Sequence, residues 1–134
     1  MSVKGSCLCG AVKYEIDGLD SSIRHCHCRT CRKAQGAAFN TAAQVARGRF
    51  RWIEGEDKLT SYESSPGKFR RFCSICGSPI VSEHPGLPHV TVRIATLDEH
   101  PGARPAERIW LSHAAPWLED ADAIARYDEW YPGR

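Results

Sequence analysis

The placement of the cysteines constrains this chain more than any other feature. Seven cysteines among 134 residues fall into three tight groups, Cys7-x-Cys9, Cys26-x-Cys28-x2-Cys31 and Cys73-x2-Cys76. An odd count is awkward for a disulfide framework, and a chain of this length can bury a working core without such staples. The opening segment Met1-Ser2-Val3-Lys4-Gly5-Ser6-Cys7 has no apolar stretch of the kind found in secretory signals, so the expected location is the cytoplasm. There, clustered cysteines read as metal or redox chemistry. No apolar run approaches the roughly 20 residues needed to cross a bilayer, so no membrane is expected as a partner. Eighteen Lys and Arg against 16 Asp and Glu leave a net charge of +2. That balance offers little field for a phosphate backbone and argues against nucleic acid. The densest basic stretch, Lys68-Phe69-Arg70-Arg71, reads as a solvated strand edge.

No linker, repeat or low-complexity tract interrupts residues 1–134, which are expected to form one all-β domain with little helix. Ala11–Ile16 and His89–Ile94 alternate apolar and polar residues, Phe50–Ile53 does so more loosely, and Pro79–Val81 and Ile109–Leu111 read as further strands. Turn signals separate them: Asp17-Gly18, Glu54-Gly55-Glu56-Asp57, Ser65-Pro66-Gly67 and Pro85-Gly86. Helix is expected only for a turn or two after Cys31 and over Leu118–Tyr127.

Cysteines at i and i+2 of an extended segment point to the same side, so Cys7 and Cys9 can offer two sulfurs to one ion. In Cys73-Ser74-Ile75-Cys76-Gly77 a tight turn brings two sulfurs together, and Gly77 can take the positive φ that closes such a knuckle. Two pairs make a closed four-thiolate site, which suits Zn2+. Three cysteines remain, and three thiolates leave one position of a tetrahedral ion open, as catalytic sites require. Soft sulfur ligands favour zinc over magnesium or calcium, and an ordinary iron–sulfur cluster would leave the middle group one ligand short. His25 and His27 flank Cys26 as further candidates for ligation or for the surroundings of the site. A thioredoxin-like dithiol at Cys73 and Cys76 would need a βαβ context that this chain lacks.

These motifs resemble the glutathione-dependent formaldehyde-activating enzyme family, also named for centromere protein V. The resemblance rests on Gly5-Ser6-Cys7-Leu8-Cys9-Gly10-Ala11-Val12, on Cys26-His27-Cys28-Arg29-Thr30-Cys31-Arg32-Lys33-Ala34-Gln35-Gly36 and on Arg71-Phe72-Cys73-Ser74-Ile75-Cys76-Gly77-Ser78-Pro79. Ala95-Thr96-Leu97-Asp98 and Ala115-Pro116-Trp117 add to it. It implies a β-tent fold with a structural zinc on Cys7, Cys9, Cys73 and Cys76 and a catalytic zinc on Cys26, Cys28 and Cys31. It also implies a carbon–sulfur lyase that condenses glutathione with formaldehyde to S-hydroxymethylglutathione, reversibly. One departure is His113, which precedes Ala114-Ala115-Pro116-Trp117 where members often carry lysine. This departure bears on the substrate more than on the fold.

A free thiol is mostly protonated at neutral pH, and coordination both ionises it and fixes its position. An open tri-thiolate site could therefore present glutathione sulfur beside an aldehyde carbon. Arg29, Arg32 and Lys33, with Arg24, surround the trio; they suit pairing with glutathione carboxylates, or they compensate thiolate charge. Phe39 and Trp117 could wall the pocket or simply pack in the core. Two other readings compete with the lyase: a non-catalytic zinc-binding interaction module, and a thiol-based redox or metal sensor. With two zinc ions on seven thiolates the net charge would move from +2 to about −1, so the basic excess does not point to acidic partners.

Overall fold

The computed structural model describes residues 2–118 and 123–133. Its strands are β1 (Val3–Ser6), β2 (Lys13–Ile16), β3 (Ile23–Cys26), β4 (Asn40–Ala46), β5 (Phe50–Glu54), β6 (Leu59–Ser65), β7 (Lys68–Cys73), β8 (Pro79–Glu83), β9 (His89–Arg93) and β10 (Pro105–Ile109). Among the described residues one α-helix, α1 (Arg29–Gln35), interrupts them. A three-stranded sheet runs β1-β2-β5 and a seven-stranded sheet runs β10-β3-β4-β9-β8-β7-β6. All pairings are antiparallel except β10 on β3. The expected mostly-β architecture with little helix is therefore present. No helix among the described residues is long and apolar enough to cross a membrane.

Strand alternation sorts the residues of the large sheet onto two faces with different work to do. Val45, Val81, Val90 and Val92 lie on one face and pack with Val12, Tyr14 and Ile16 of the small sheet, forming the core together with Cys7, Cys73 and Ile80. Burying each such aliphatic side chain contributes roughly 1.5–3 kcal/mol. The register aligns Arg24 with Ala42 and Arg93, and Ser82 with Thr91 and Arg70. These residues occupy the opposite, polar face, over which α1 lies.

Several sequence motifs prove to be braces. The Tyr14 hydroxyl meets Thr96 Oγ1 at 2.6 Å, and Thr96 Oγ1 donates to the Arg93 carbonyl at 2.8 Å. Ser6 Oγ donates to the Asp98 carboxylate at 2.8 and 2.9 Å, and the Asp98 amide donates to the Lys4 carbonyl. Gly5-Ser6 and Ala95-Thr96-Leu97-Asp98 thus tie the two sheets together. Gly55 takes a left-handed φ of 78°, and a β-carbon there would lie 1.9 Å from the Ala11 carbonyl oxygen. Gly55→Ala should lower unfolding stability by roughly 2–4 kcal/mol, combining left-handed strain with overpacking. Urea denaturation measures this, and an unchanged midpoint would contradict the close approach.

Three expectations change in detail. The helix begins at Arg29 and contains Cys31, because Cys28 caps it: Cys28 is extended and its Sγ accepts from the Cys31 amide at 3.3 Å. Gly36, at φ 60°, closes the other end. The strand expected at Ile109–Leu111 stops at Ile109, since Trp110 turns the chain at φ 59° into a 3-10 turn over Leu111–His113. Of the helix expected over Leu118–Tyr127, residues 119–122 lie outside the described residues and 123–127 are not α-helical.

Candidate metal centres

The first cluster forms where the loop after β1 meets the knuckle that ends β7. Within the knuckle the Cys73 amide donates to the Ser78 carbonyl and the Gly77 amide to the Cys73 carbonyl, with Gly77 at φ 79°. The sulfurs of Cys7, Cys9, Cys73 and Cys76 all lie within 4.8 Å of one another. Cys7 and Cys9 sulfurs are 3.7 Å apart, and Cys9 and Cys73 sulfurs 3.8 Å. Four thiolates at the usual zinc–sulfur distance on tetrahedral corners stand about 3.8 Å apart, so the donor set fits this ion. Backbone amides already point at the sulfurs, Val12 at Cys7 (3.3 Å) and Ile75 at Cys73 (3.4 Å). The amides of Cys9 and Ser78 draw the Cys76 thiol down to about 6.

The second cluster is built by local geometry alone. Cys26 ends β3, Cys28 caps α1 and Cys31 lies in its first turn, which sets the three sulfurs within 4.8 Å of one another. No histidine or carboxylate among the described residues joins them. Burial pushes the Cys26 thiol up to about 12 in the absence of a metal. Burial also opposes ionisation of Cys31, yet hydrogen bonds from Cys28 and Arg70 outweigh it and lower that thiol. Such unequal thiols are what a divalent ion would bring to one ionised state.

The expected solvated edge at Lys68–Arg71 is overturned. β7 is an inner strand, paired on both sides, and Lys68 and Arg70 lie on the face toward the trio. Arg70 is 8% exposed; its Nη2 donates to Cys31 Sγ at 3.7 Å and its Nε to Ser64 Oγ at 3.0 Å. Arg93, 4% exposed, lies beside it on β9. Burial next to Arg70 brings the Arg93 guanidinium down to about 10 and also lowers Lys68. Their i, i+2 spacing on a strand was a usable signal for Lys68 and Arg70; nothing local marked Arg93.

Two cavities flank the trio. The larger, about 420 Å³, is lined by Cys28, Arg29, Ser64, Lys68, Arg70, Trp110 and His113 among others. The smaller, about 170 Å³, is reached by Cys26 and Cys31 and lined also by Arg24, Lys68 and Arg93. Of the residues expected to bind substrate, Arg29 lines the larger cavity, while Arg32 and Lys33 line neither. Arg32 is half-buried, its Nε without a hydrogen-bond partner among the described residues, and Lys33 is exposed. Arg24 is paired with Glu107 at 3.4 Å. His25 stacks on Phe39 with centroids 4.1 Å apart, and His27 is 2% exposed with its ring 5.1 Å from Phe39. Burial, with Arg108 nearby, lowers both imidazoles. Phe39 therefore orders the histidines and walls neither cavity, and Trp117 is exposed.

The fold and site define a mostly-β protein with two cysteine clusters able to coordinate metal ions, one supplying four sulfurs and the other three. The family model described as glutathione-dependent formaldehyde-activating enzyme matches residues 2–113, and the chain belongs to that family. A Halomonas elongata protein, provisionally named a glutathione-dependent formaldehyde-activating enzyme, is 27% identical over 128 residues, covering 89% of this chain and 81% of its own length. The crystal structure of a Rhodobacter sphaeroides protein is similar, with a TM-score of 0.63 and 27% identity over 78% of this chain and 98% of that one.

Proposed function

We propose that the protein is a carbon–sulfur lyase that joins glutathione to formaldehyde or a related aldehyde, and reverses the reaction. The observation that carries this reading is the trio of Cys26, Cys28 and Cys31, with no fourth protein ligand among the described residues, standing between two cation-lined cavities. A zinc ion held by these cysteines would supply a position at which a substrate thiol is kept as its thiolate. The outer four cysteines would hold a second zinc that serves folding within a β-tent framework.

The chain's own residues bind and orient. The larger cavity falls within the roughly 300–1,000 Å³ typical of small-molecule sites, and can take a peptide thiol. Arg29 on its wall suits a carboxylate of glutathione, and the planar guanidinium can grip it with two hydrogen bonds. Arg70, fixed by Ser64, donates to Cys31 and favours its ionised form. In the reaction the sulfur–carbon bond forms as the carbonyl π bond opens, and the thiol proton ends on the new hydroxyl. His113 lines the same cavity as Cys28, with its ring 4.9 Å from that of Trp110, which supports a reading in which its imidazole carries that proton. His25 and His27 line neither cavity. The reading carries with it a reducing, cytoplasmic setting in which free thiols persist.

Exchange spectroscopy on glutathione and formaldehyde tests the proposal. Interconversion of free thiol and adduct should be faster with zinc-loaded protein than in buffer. Equal rates with and without protein would move the assignment away from this pair of substrates.

A further inference from the structure

The smaller cavity holds more positive charge than the cysteine trio can neutralise. Three thiolates on a divalent ion carry one net negative charge, which Arg70 at Cys31 already offsets, so the two positive charges that Lys68 and Arg93 bring to the cavity wall remain as a surplus of about two. Arg24 drops out of this balance because Glu107 pairs with it. No Asp or Glu among the described residues lines the cavity. Arg93, on the cavity wall, has its Nε buried with no acceptor among the described residues. A native fold leaves guanidinium donors unpaired in its interior where something else supplies the acceptor. The remaining wall, with Asn40, Gln44, Ser82 and Thr91, offers neutral hydrogen-bonding groups.

Resting on the thiol–aldehyde reading, we infer that this cavity receives a carboxylate on the electrophile, so that the substrate class is a short aldehyde acid of the 2-oxo type. The cavity, at about 170 Å³, is too small for the peptide thiol and sits on the side of the trio formed by Cys26 and Cys31. A carboxylate between Arg93 and Lys68 leaves its adjacent carbonyl carbon facing those sulfurs. The addition balances without an oxidant: the sulfur–carbon bond forms, the carbonyl π bond opens, the thiol proton moves to the oxygen, and the carboxylate is unchanged. Arg93, at about 10, stays charged at neutral pH. Its backbone is pinned by Thr96, whose hydroxyl donates to the Arg93 carbonyl.

Two measurements on zinc-loaded protein decide this. Calorimetric titration with glycolate, which has the carboxylate but no aldehyde, should show binding that Arg93→Gln and Lys68→Gln each weaken by about tenfold or more. Lys68 is only half-buried, so Lys68→Gln decides if Arg93→Gln does not fold. In exchange experiments with glutathione, glyoxylate should be accelerated about tenfold more than acetaldehyde, and Lys68→Gln should remove that preference. Absence of glycolate binding, or binding indifferent to both substitutions, overturns the carboxylate subsite. Formaldehyde exchange without preference for glyoxylate overturns it too, while leaving the lyase reading standing. Glycolate binding that both substitutions weaken, with no aldehyde accelerated, overturns the lyase reading and with it this choice of electrophile.

Discussion

Cys73→Ser should abolish cooperative unfolding and leave at most one zinc ion per chain in the soluble fraction. Cys73 is 0% exposed and belongs to the core cluster that also contains Cys7, so its sulfur is both a metal donor and packing material. Structural zinc contributes about 10–16 kcal/mol in small metal-dependent domains, whereas a whole domain is stable by only about 5–15 kcal/mol. Serine oxygen is a poor replacement for a soft thiolate and would place an unpaired hydroxyl in the core. A strong chelator should produce the same collapse in the wild-type protein. Calorimetry and metal analysis check both, and a variant that melts cooperatively at the wild-type temperature would show that the outer cluster does not depend on metal.

Cys28→Ser should separate function from folding. The substitution is expected to remove one zinc ion of two, keep the near-ultraviolet dichroism, and slow glutathione–formaldehyde exchange by about a hundredfold or more. Changes in the surroundings of a metal site already cost 10–100-fold, and this one removes a ligand. The fold should persist because Cys28 is half-buried, lies outside the core cluster and caps a helix, a position where serine is among the preferred residues. Retention of both zinc ions with unaltered exchange would remove the catalytic assignment of the trio.

The contrast between these two variants reflects how unevenly the site could be read beforehand. Cys26, Cys28 and Cys31 meet because a strand end, a helix cap and a first helical turn are all local, and spacing alone constrains them. The pairing of Cys7 and Cys9 with Cys73 and Cys76 followed from counting, since only four sulfurs complete a closed zinc site. Lys68 and Arg70 stand out in the sequence as charges, and composition alone points to a solvated edge for them. Their burial depends on β6 and β8 both pairing with β7, a matter of long-range register. Arg93 ends a strand whose apolar partners Val90 and Val92 were plain, yet nothing in that alternation tells whether the other face meets water or a helix.

The helix boundary and Trp110 make the same point at shorter range. A cysteine is not an expected N-cap, so the sequence points to a helix only after Cys31, whereas the Cys28 sulfur accepts from the Cys31 amide as a serine oxygen would and starts α1 at Arg29. Trp110 departs from the strand it was assigned to by taking a left-handed φ of 59°, and this turn sets Trp110 and His113 on the wall of the larger cavity.

Residue chemistry, short-range spacing and the count of sulfurs therefore established the strand-rich fold, the two sulfur clusters and the family resemblance. The trio and each outer cysteine pair lie within a few positions, and only joining the two outer pairs, 64 residues apart at Cys9 and Cys73, completes a closed site. The charge around the trio depended on tertiary structure. Arg70 reaches Cys31 across 39 residues of chain, and Arg93 comes still further, through a register set by burial of valines on the opposite face. Period-two alternation dictates that burying one face presents the other, but only the packing of α1 over that other face turned its cations into the lining of a site.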